Sequence, residues 1–214
     1  MQTEFHNLLF NAVSPFDEGV AALKLKVLRS YPDGDQTRPN RTAAVLVPIL
    51  DKAEPEILLT VRSRTLEQHP GQVSFPGGAV DHTDRSAIST ALREAEEEIG
   101  LDFSQVSPLG FLDRVDTISD YRVLPVVALV RPSFVWQPDH REVEEVFTVP
   151  LELAVNRNAY SHERITYEGK THVISSLHWQ GHRIWGITAA ILLNFGSRLE
   201  SLKGESSKFS LRQS

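Results

Sequence analysis

FPGGAVDHTDRSAISTALREAEEEIGL, residues Phe75–Leu101, joins a glycine turn to a helix with two unlike faces. Ile88, Leu92, Ala95 and Ile99 recur at helical spacing, and Gly100 offers a stop, so a helix is expected from Asp84 to Ile99. With Leu92 at 0° and about 100° per residue, the apolar set falls within about 60° of Leu92. Glu94, Glu97 and Glu98 then fall near about 200°, 140° and 240°, on the opposite face. Their i, i+3, i+4 spacing gathers the carboxylates into one small patch. Left alone, two such charges about 6 Å apart repel by about 3 kcal/mol at an effective dielectric of 20. A solvated surface tolerates that, whereas a cleft calls for a cation. Three hard oxygen donors suit Mg²⁺ or Mn²⁺. Arg93, next to Glu94, is placed to orient a carboxylate through charge-assisted hydrogen bonds. The Pro76-Gly77-Gly78 turn ahead of the helix lets backbone approach a ligand closely and expose a carbonyl.

Outward from this stretch, Ala43–Leu50 and Glu56–Val61 read as strands separated by the turn DKAEP. Val106–Arg114, Arg122–Arg131, Val143–Pro150, Arg164–Tyr167, Thr171–Trp179 and His182–Ile184 read as further strands, with Gln180-Gly181 as a hairpin turn. Leu151–Val155 reads as one helical turn. Residues 3–14 suit a short amphipathic helix, Ser30–Thr42 a polar loop, and Trp185–Leu199 a closing helix. No repeat or linker divides the chain. The expectation is one mixed α/β domain over residues 1–200, with an N-terminal helical extension and a flexible polar tail over 201–214.

Composition narrows the function classes. The chain has 214 residues, enough to bury a sizeable core without staples, and no cysteine. Disulfides, thiolate metal sites and cysteine nucleophiles are therefore excluded. Lys and Arg number 22 against 28 Asp and Glu, a net charge of −6, which is not the footprint of a nucleic-acid binder. The N-terminus MQTEFHNLLF lacks a basic signal-peptide start, and Ile187–Phe195 is too short to span a bilayer. The C-terminal LRQS is not a peroxisomal address. A cytoplasmic protein with a small-molecule ligand, no membrane and no nucleic-acid partner is expected. Monomer and homodimer stay open.

Phe75–Leu101 resembles the Nudix box, Gx5Ex7REUxEExGU, with U an aliphatic residue. Gly78 matches the leading glycine. Arg93-Glu94-Ala95, Glu97-Glu98, Gly100 and Leu101 match the second half, Ala95 standing for the aliphatic residue. Asp84 stands where the box has its first glutamate, with one extra residue before Arg93. Its expected part is to cap the helix or bind outer-shell water. The resemblance implies an α/β/α sandwich with a mixed sheet and divalent-cation-dependent cleavage of a nucleoside diphosphate linked to another group. It gives Arg93, Glu94, Glu97 and Glu98 as catalytic residues. The metal ligands it implies are Glu94, Glu97, Glu98 and the Gly78 carbonyl.

Leu58–Gly78, LLTVRSRTLEQHPGQVSFPGG, further resembles LLTxRSx3Rx3Gx3FPGG, the motif of the coenzyme A pyrophosphatase branch. Leu58-Leu59-Thr60, Arg62-Ser63, Gly71 and Phe75-Pro76-Gly77-Gly78 match in register. Glu67 replaces the motif's second arginine, the wrong sign beside a phosphate, and Arg62, Arg64 or His69 would have to compensate. By this resemblance Arg62, Ser63, His69, Gly71, Phe75 and Gly77 are the candidate substrate-binding residues. The general base is open among Glu94, Glu98 and the acidic run containing Glu142 and Glu145. Coenzyme A or an acyl-CoA is the expected substrate. ADP-ribose or a dinucleotide is the alternative, and a non-catalytic nucleotide sensor is the further one. His178 and His182 flank the hairpin turn and read as strand residues rather than zinc ligands.

Overall fold

The computed structural model describes residues 2–16, 27–29, 41–117, 121–167 and 170–210. Its strands are β1 (Val27–Arg29), β2 (Arg41–Leu50), β3 (Glu56–Arg62), β4 (Val73–Ser74), β5 (Gly77–Ala79), β6 (Val106–Phe111), β7 (Arg114–Asp116), β8 (Tyr121–Val130), β9 (Val143–Pro150), β10 (Ser161–Tyr167), β11 (Lys170–Trp179) and β12 (His182–Trp185). The α-helices are α1 (Gln2–Ala12), α2 (Ala87–Ile99), α3 (Leu151–Ala154) and α4 (Gly186–Ser210).

One sheet runs in the order β1-β7-β8-β2-β3-β4, with β5 also on β2, β6 on β8 and β9 on β3. It is mixed: β2 pairs parallel with β8 and β1 with β7, and the other pairs are antiparallel. A smaller antiparallel sheet, β10-β11-β12, is closed by Gln180 and Gly181, both at positive φ (47° and 86°), as a tight hairpin turn requires.

The near-continuous apolar runs of β2, β3 and β8 are explained by burial on both faces. Alternate residues serve two separate cores. Ala44, Leu46, Leu58, Leu124, Val126 and Ala128 pack with Ala91, Ala95 and Ile99 of α2. Val47, Ile49, Ile57, Leu59, Val127 and Leu129 face the other way, onto Leu9 of α1, Phe195 of α4 and Ile184 of β12. The result is the expected α/β/α sandwich with a mixed sheet.

The N-terminal extension is stitched to this frame. Ser14 and Phe111 exchange main-chain hydrogen bonds at 2.8 and 2.9 Å, and Arg198 donates to the Ala12 carbonyl and to buried Asp113.

Several boundaries differ from the sequence expectation. The helix expected from Asp84 begins at Ala87, because Ser86 rather than Asp84 is the N-cap, in a reciprocal capping box with Ser89. The strand expected over Val106–Arg114 is broken into β6 and β7. The closing helix continues past Leu199 to Ser210. Residues 30–40 of the expected polar loop, and 211–214 of the tail, lie outside the described residues. Among the described residues, no helix is long and apolar enough to cross a membrane.

Candidate active site

Helix α2 sits on the sheet through its small residues. Ala91 and Ala95 are fully buried, whereas Leu92 and Ile88 are only partly so. The buried stripe is therefore centred near Ala95, about 60° from the Leu92 axis used above. That rotation carries Glu98 from the supposed solvent face to the edge of the core, where it is 3% exposed. The helix closes at Gly100, whose left-handed backbone (φ 71°) lets its N–H reach the Glu96 carbonyl at 2.9 Å. Two further carbonyls at this end accept from the β8–β9 connection: Ile99 from Gln137 N–H (2.8 Å) and Glu98 from Asp139 N–H (2.9 Å).

The N-terminal half of the site is organised by one guanidinium. Arg93 Nε and Nη2 donate to Asp84 Oδ1 (3.1 Å) and Oδ2 (2.9 Å), and Nη2 also to the Ala79 carbonyl (3.3 Å). Its Nη1 donates to Glu94 Oε1 (2.8 Å) and Glu97 Oε2 (3.2 Å). Asp84 additionally accepts from Thr90 Oγ1 and Asp81 N–H. These bonds, Arg93 foremost, hold the Asp84 carboxyl well below the usual carboxylate range. The helix cap expected of Asp84 is thus corrected: Ser86 caps the helix and Asp84 grips Arg93.

Gly77 and Gly78 are glycines for two different reasons. A β-carbon on Gly77 would meet the Ala44 carbonyl at 2.4 Å, and its φ is +154°. A β-carbon on Gly78 would meet the Glu94 carboxyl at 2.5 Å. The Gly77 N–H donates to Glu98 Oε2 at 3.3 Å. Burial pushes the Glu98 carboxyl up to about 8, opposed by the Arg62 charge and the Gly77 amide. Burial likewise raises Glu94, with Arg93 opposing. Arg62, at the end of β3, carries a buried Nε that finds no acceptor among the described residues.

The remaining candidates divide. Arg62, Gly77, Gly78, Glu94, Glu97 and Glu98 with Arg93 come together. Gly71 (φ 69°) and His69 (φ 56°) shape the tip of the β3–β4 hairpin, with His69 exposed, as is Glu67. Ser63 is buried. Its N–H donates to the Glu142 carbonyl (2.8 Å) and its Oγ shares a hydrogen bond with Thr65 Oγ1 (2.9 Å). It pins a loop instead of facing a ligand. Phe75, 3% exposed, belongs to the core on the far side of the sheet from α2, so it is a packing residue. Glu142 stands beside the carboxylates, and its charge adds to the upward pressure on Glu94 and Glu98. Glu145 does not join them. It pairs with Val61, on the face of Leu59 and Phe147, and lies 3.4 Å from His182 Nε2. His182 itself stacks on Phe147 at 4.0 Å.

Among the described residues, no three His, Cys, Asp or Glu side chains stand together as a ready metal cage. The donor chemistry nevertheless suits a hard divalent cation. Two of the carboxylates are pushed upward by burial, a penalty that a cation would offset, and among the described residues only Arg93 bridges Glu94 to Glu97.

The NUDIX domain family matches residues 40–168. Two curated relatives are an uncharacterized Nudix hydrolase NudL of Photorhabdus laumondii, 41% identical over 161 residues (75% of this chain, 86% of the relative), and its namesake of Escherichia coli K12, 43% identical over 157 residues (73% and 82%). A crystal structure of a Nudix hydrolase from M. smegmatis, RenU, is 20% identical with a TM-score of 0.49, covering 78% of this chain and 87% of that one. The glycine turn, the Arg93 grip and the glutamate face all lie inside the matched span, and this chain belongs to the Nudix family of hydrolases.

Proposed function

We propose that this Nudix hydrolase cleaves the diphosphate of coenzyme A or an acyl-CoA, giving 3′,5′-ADP and the corresponding 4′-phosphopantetheine, with Mg²⁺ or Mn²⁺ as cofactor. One observation carries the substrate assignment. Within Leu58–Gly78, β3 and β4 pair as a hairpin and β5 follows onto β2, and this path brings Arg62, at the loop end of β3, and Gly77-Gly78 to the glutamates of α2. Both ends of the motif that resembles the coenzyme A branch are thus anchored in the sheet that carries α2, with Arg62 and Gly77 facing Glu98.

Glu94, Glu97, Glu98 and the Gly78 carbonyl would hold the cation. When bound, it would neutralise diphosphate oxygens and lower the pKa of a water molecule. Arg93, anchored on Asp84, keeps Glu94 and Glu97 oriented. Arg62 offers its buried Nε–H to a phosphate oxygen, a charge-assisted bond that orients the diphosphate. Catalysis here rests on positioning and electrostatics.

The second reading, a diphosphatase for ADP-ribose or NADH, is favoured by Glu67. The residue in the second arginine's place is an exposed acid on the hairpin loop, and it supplies no positive charge for a 3′-phosphate. Incubation with coenzyme A, ADP-ribose and NADH in parallel, with Mn²⁺ and chromatographic resolution of products, tests both. Preferential release of 3′,5′-ADP is the expected result. Preferential cleavage of ADP-ribose or NADH would replace the substrate assignment. Cytoplasmic residence belongs to the same proposal.

A further inference from the structure

We propose that Arg64, at the start of the β3–β4 hairpin loop, binds the 3′-phosphate of coenzyme A or an acyl-CoA and supplies the positive charge that Glu67 does not. The inference rests on the coenzyme A reading above and names the contact that separates this substrate from a nucleotide without a 3′-phosphate.

Arg64 is an exposed side chain on a fixed mount. Ser63, just before it, is buried, and its N–H donates to the Glu142 carbonyl at 2.8 Å. The Ser63 Oγ accepts from Thr65 N–H (3.4 Å) and shares a hydrogen bond with Thr65 Oγ1 (2.9 Å), while the Ser63 carbonyl accepts from Leu66 N–H (3.3 Å). The main chain is therefore pinned on both sides of Arg64. Across the loop, Gly71 N–H donates to the Arg62 carbonyl at 3.0 Å. A β-carbon on Gly71 would stand 3.9 Å from Arg64 Cγ, so the stem of Arg64 leans across the hairpin against Gly71.

The head of this side chain already holds an anionic group, loosely. Arg64 Nε donates to Glu144 Oε2 at 3.2 Å. Glu144 is the extra residue of a bulge, because Val61 pairs with Glu145 and Arg62 with Val143. A bulge takes a residue out of the ladder and re-aims its side chain. The Arg64 and Glu144 side chains are 81% and 44% exposed, and an ion pair so exposed is weak. Among the described residues, Nη1 and Nη2 of Arg64 make no hydrogen bond. The guanidinium can therefore exchange Glu144 for a better partner. A phosphomonoester is that partner: it carries about two negative charges at pH 7, and its oxygens accept two parallel bonds from the guanidinium fork.

Reach agrees with the assignment. The 3′-phosphate and the diphosphate hang from one ribose, so the groups that meet them must be neighbours. Arg62 and Arg64 are two positions apart, which limits their Cα separation to about 7 Å. Arg62 is committed to the glutamate side, where its charge acts on Glu98. Arg93 is occupied by Asp84, Glu94 and Glu97. His69, also on the loop, lacks the planar fork that matches a phosphate.

The test compares coenzyme A with 3′-dephospho-coenzyme A on the full chain with Mn²⁺. The wild type is expected to show a KM about 10- to 100-fold lower for coenzyme A, as a charged hydrogen-bonding contact provides. Arg64→Gln should bring that ratio to within about threefold of unity by raising the KM for coenzyme A. Arg64→Lys, which keeps the charge without the fork, should recover part of the ratio. Glu144→Gln, which removes the competing carboxylate, should widen it. Titration calorimetry of 3′,5′-ADP against 5′-AMP without metal should give the same order among the variants, apart from turnover. A wild type that cleaves both forms of coenzyme A with equal KM, or an Arg64→Gln enzyme that keeps the wild-type ratio, overturns the inference and leaves the substrate reading standing. Cleavage of ADP-ribose or NADH with neither form of coenzyme A cleaved overturns the substrate reading, and the inference with it.

Discussion

The carboxyl group of Glu94 occupies the space that a side chain on residue 78 would need, 2.5 Å from the position of its β-carbon. The turn and the helix are thus fitted to each other atom against atom. A methyl group on Gly78 would push the far end of a flexible side chain, which can yield. Gly78→Ala is expected to fold with a Tm close to wild type yet lose about 10²-fold in kcat, since an ångström of misplacement is enough for that. Thermal melting and steady-state kinetics on the same preparation check it.

The neighbouring glycine should fail in the opposite way. On Gly77 a methyl group meets the Ala44 carbonyl and the Val45 backbone, at 2.4 and 2.6 Å, and φ is +154°. Backbone cannot swing aside. Gly77→Ala should cost about 1–3 kcal/mol or more of stability, seen as a lowered urea midpoint. An unchanged midpoint would contradict the close approach of β5 to β2.

Asp84→Asn removes one charge from a buried, two-pronged ion pair. The Asp84 side chain is 4% exposed and that of Arg93 28%. The expected loss at pH 7 is about 3 kcal/mol. The wild-type carboxyl is held low in the folded state, so its contribution is complete above the unfolded value of about 3.9 and is lost as pH falls through the lower folded value. The gap between wild type and Asp84→Asn should therefore be full at pH 7 and close in strong acid. Urea titrations across that range measure it.

Cation dependence supplies a fourth expectation. Excess chelator should abolish turnover. Mn²⁺ at about a hundred times its Kd should stabilise the wild-type protein by about 2.7 kcal/mol. Glu98→Gln should fold, lose turnover and show a smaller Mn²⁺ effect. Near-wild-type activity in Glu98→Gln would remove Glu98 from the ligand set.

Arg198 lies away from the glutamate face and should affect folding alone. Arg198→Met leaves buried Asp113 with Asn194 as its one side-chain partner among the described residues. A loss of about 3–5 kcal/mol is expected, with kcat per folded molecule unchanged.

The layers of the fold were legible because β2, β3 and β8 are apolar on both faces and α2 has a strong period. The turn and its glutamates were legible because few other patterns combine glycines with acids at that spacing. The exact rotation of α2 was not. Size ranks Leu92 as the deepest residue, but close approach to the sheet selects the smallest side chains, Ala91 and Ala95, and this buries Glu98. Asp84 was ambiguous because an acid ahead of a helix usually caps it. Here Ser86 takes that role, and only the three-dimensional path of the loop brings Asp84 to Arg93, nine positions on. Phe75 and Ser63 sit inside a binding motif yet serve packing and loop anchorage, a distinction that spacing does not carry.

The stretch between β8 and β9 runs over the surface, where insertions normally accumulate without harm. In this protein it is tied at three points, to Ile99, Glu98 and Ser63, within six positions from Gln137 to Glu142. Lengthening it there would uncap the carboxyl end of α2 and release the β3–β4 hairpin together. Relatives and engineered variants should therefore vary in length before Gln137 or at the hairpin tip near Glu67, leaving the span between as a fixed gauge of the cleft's width.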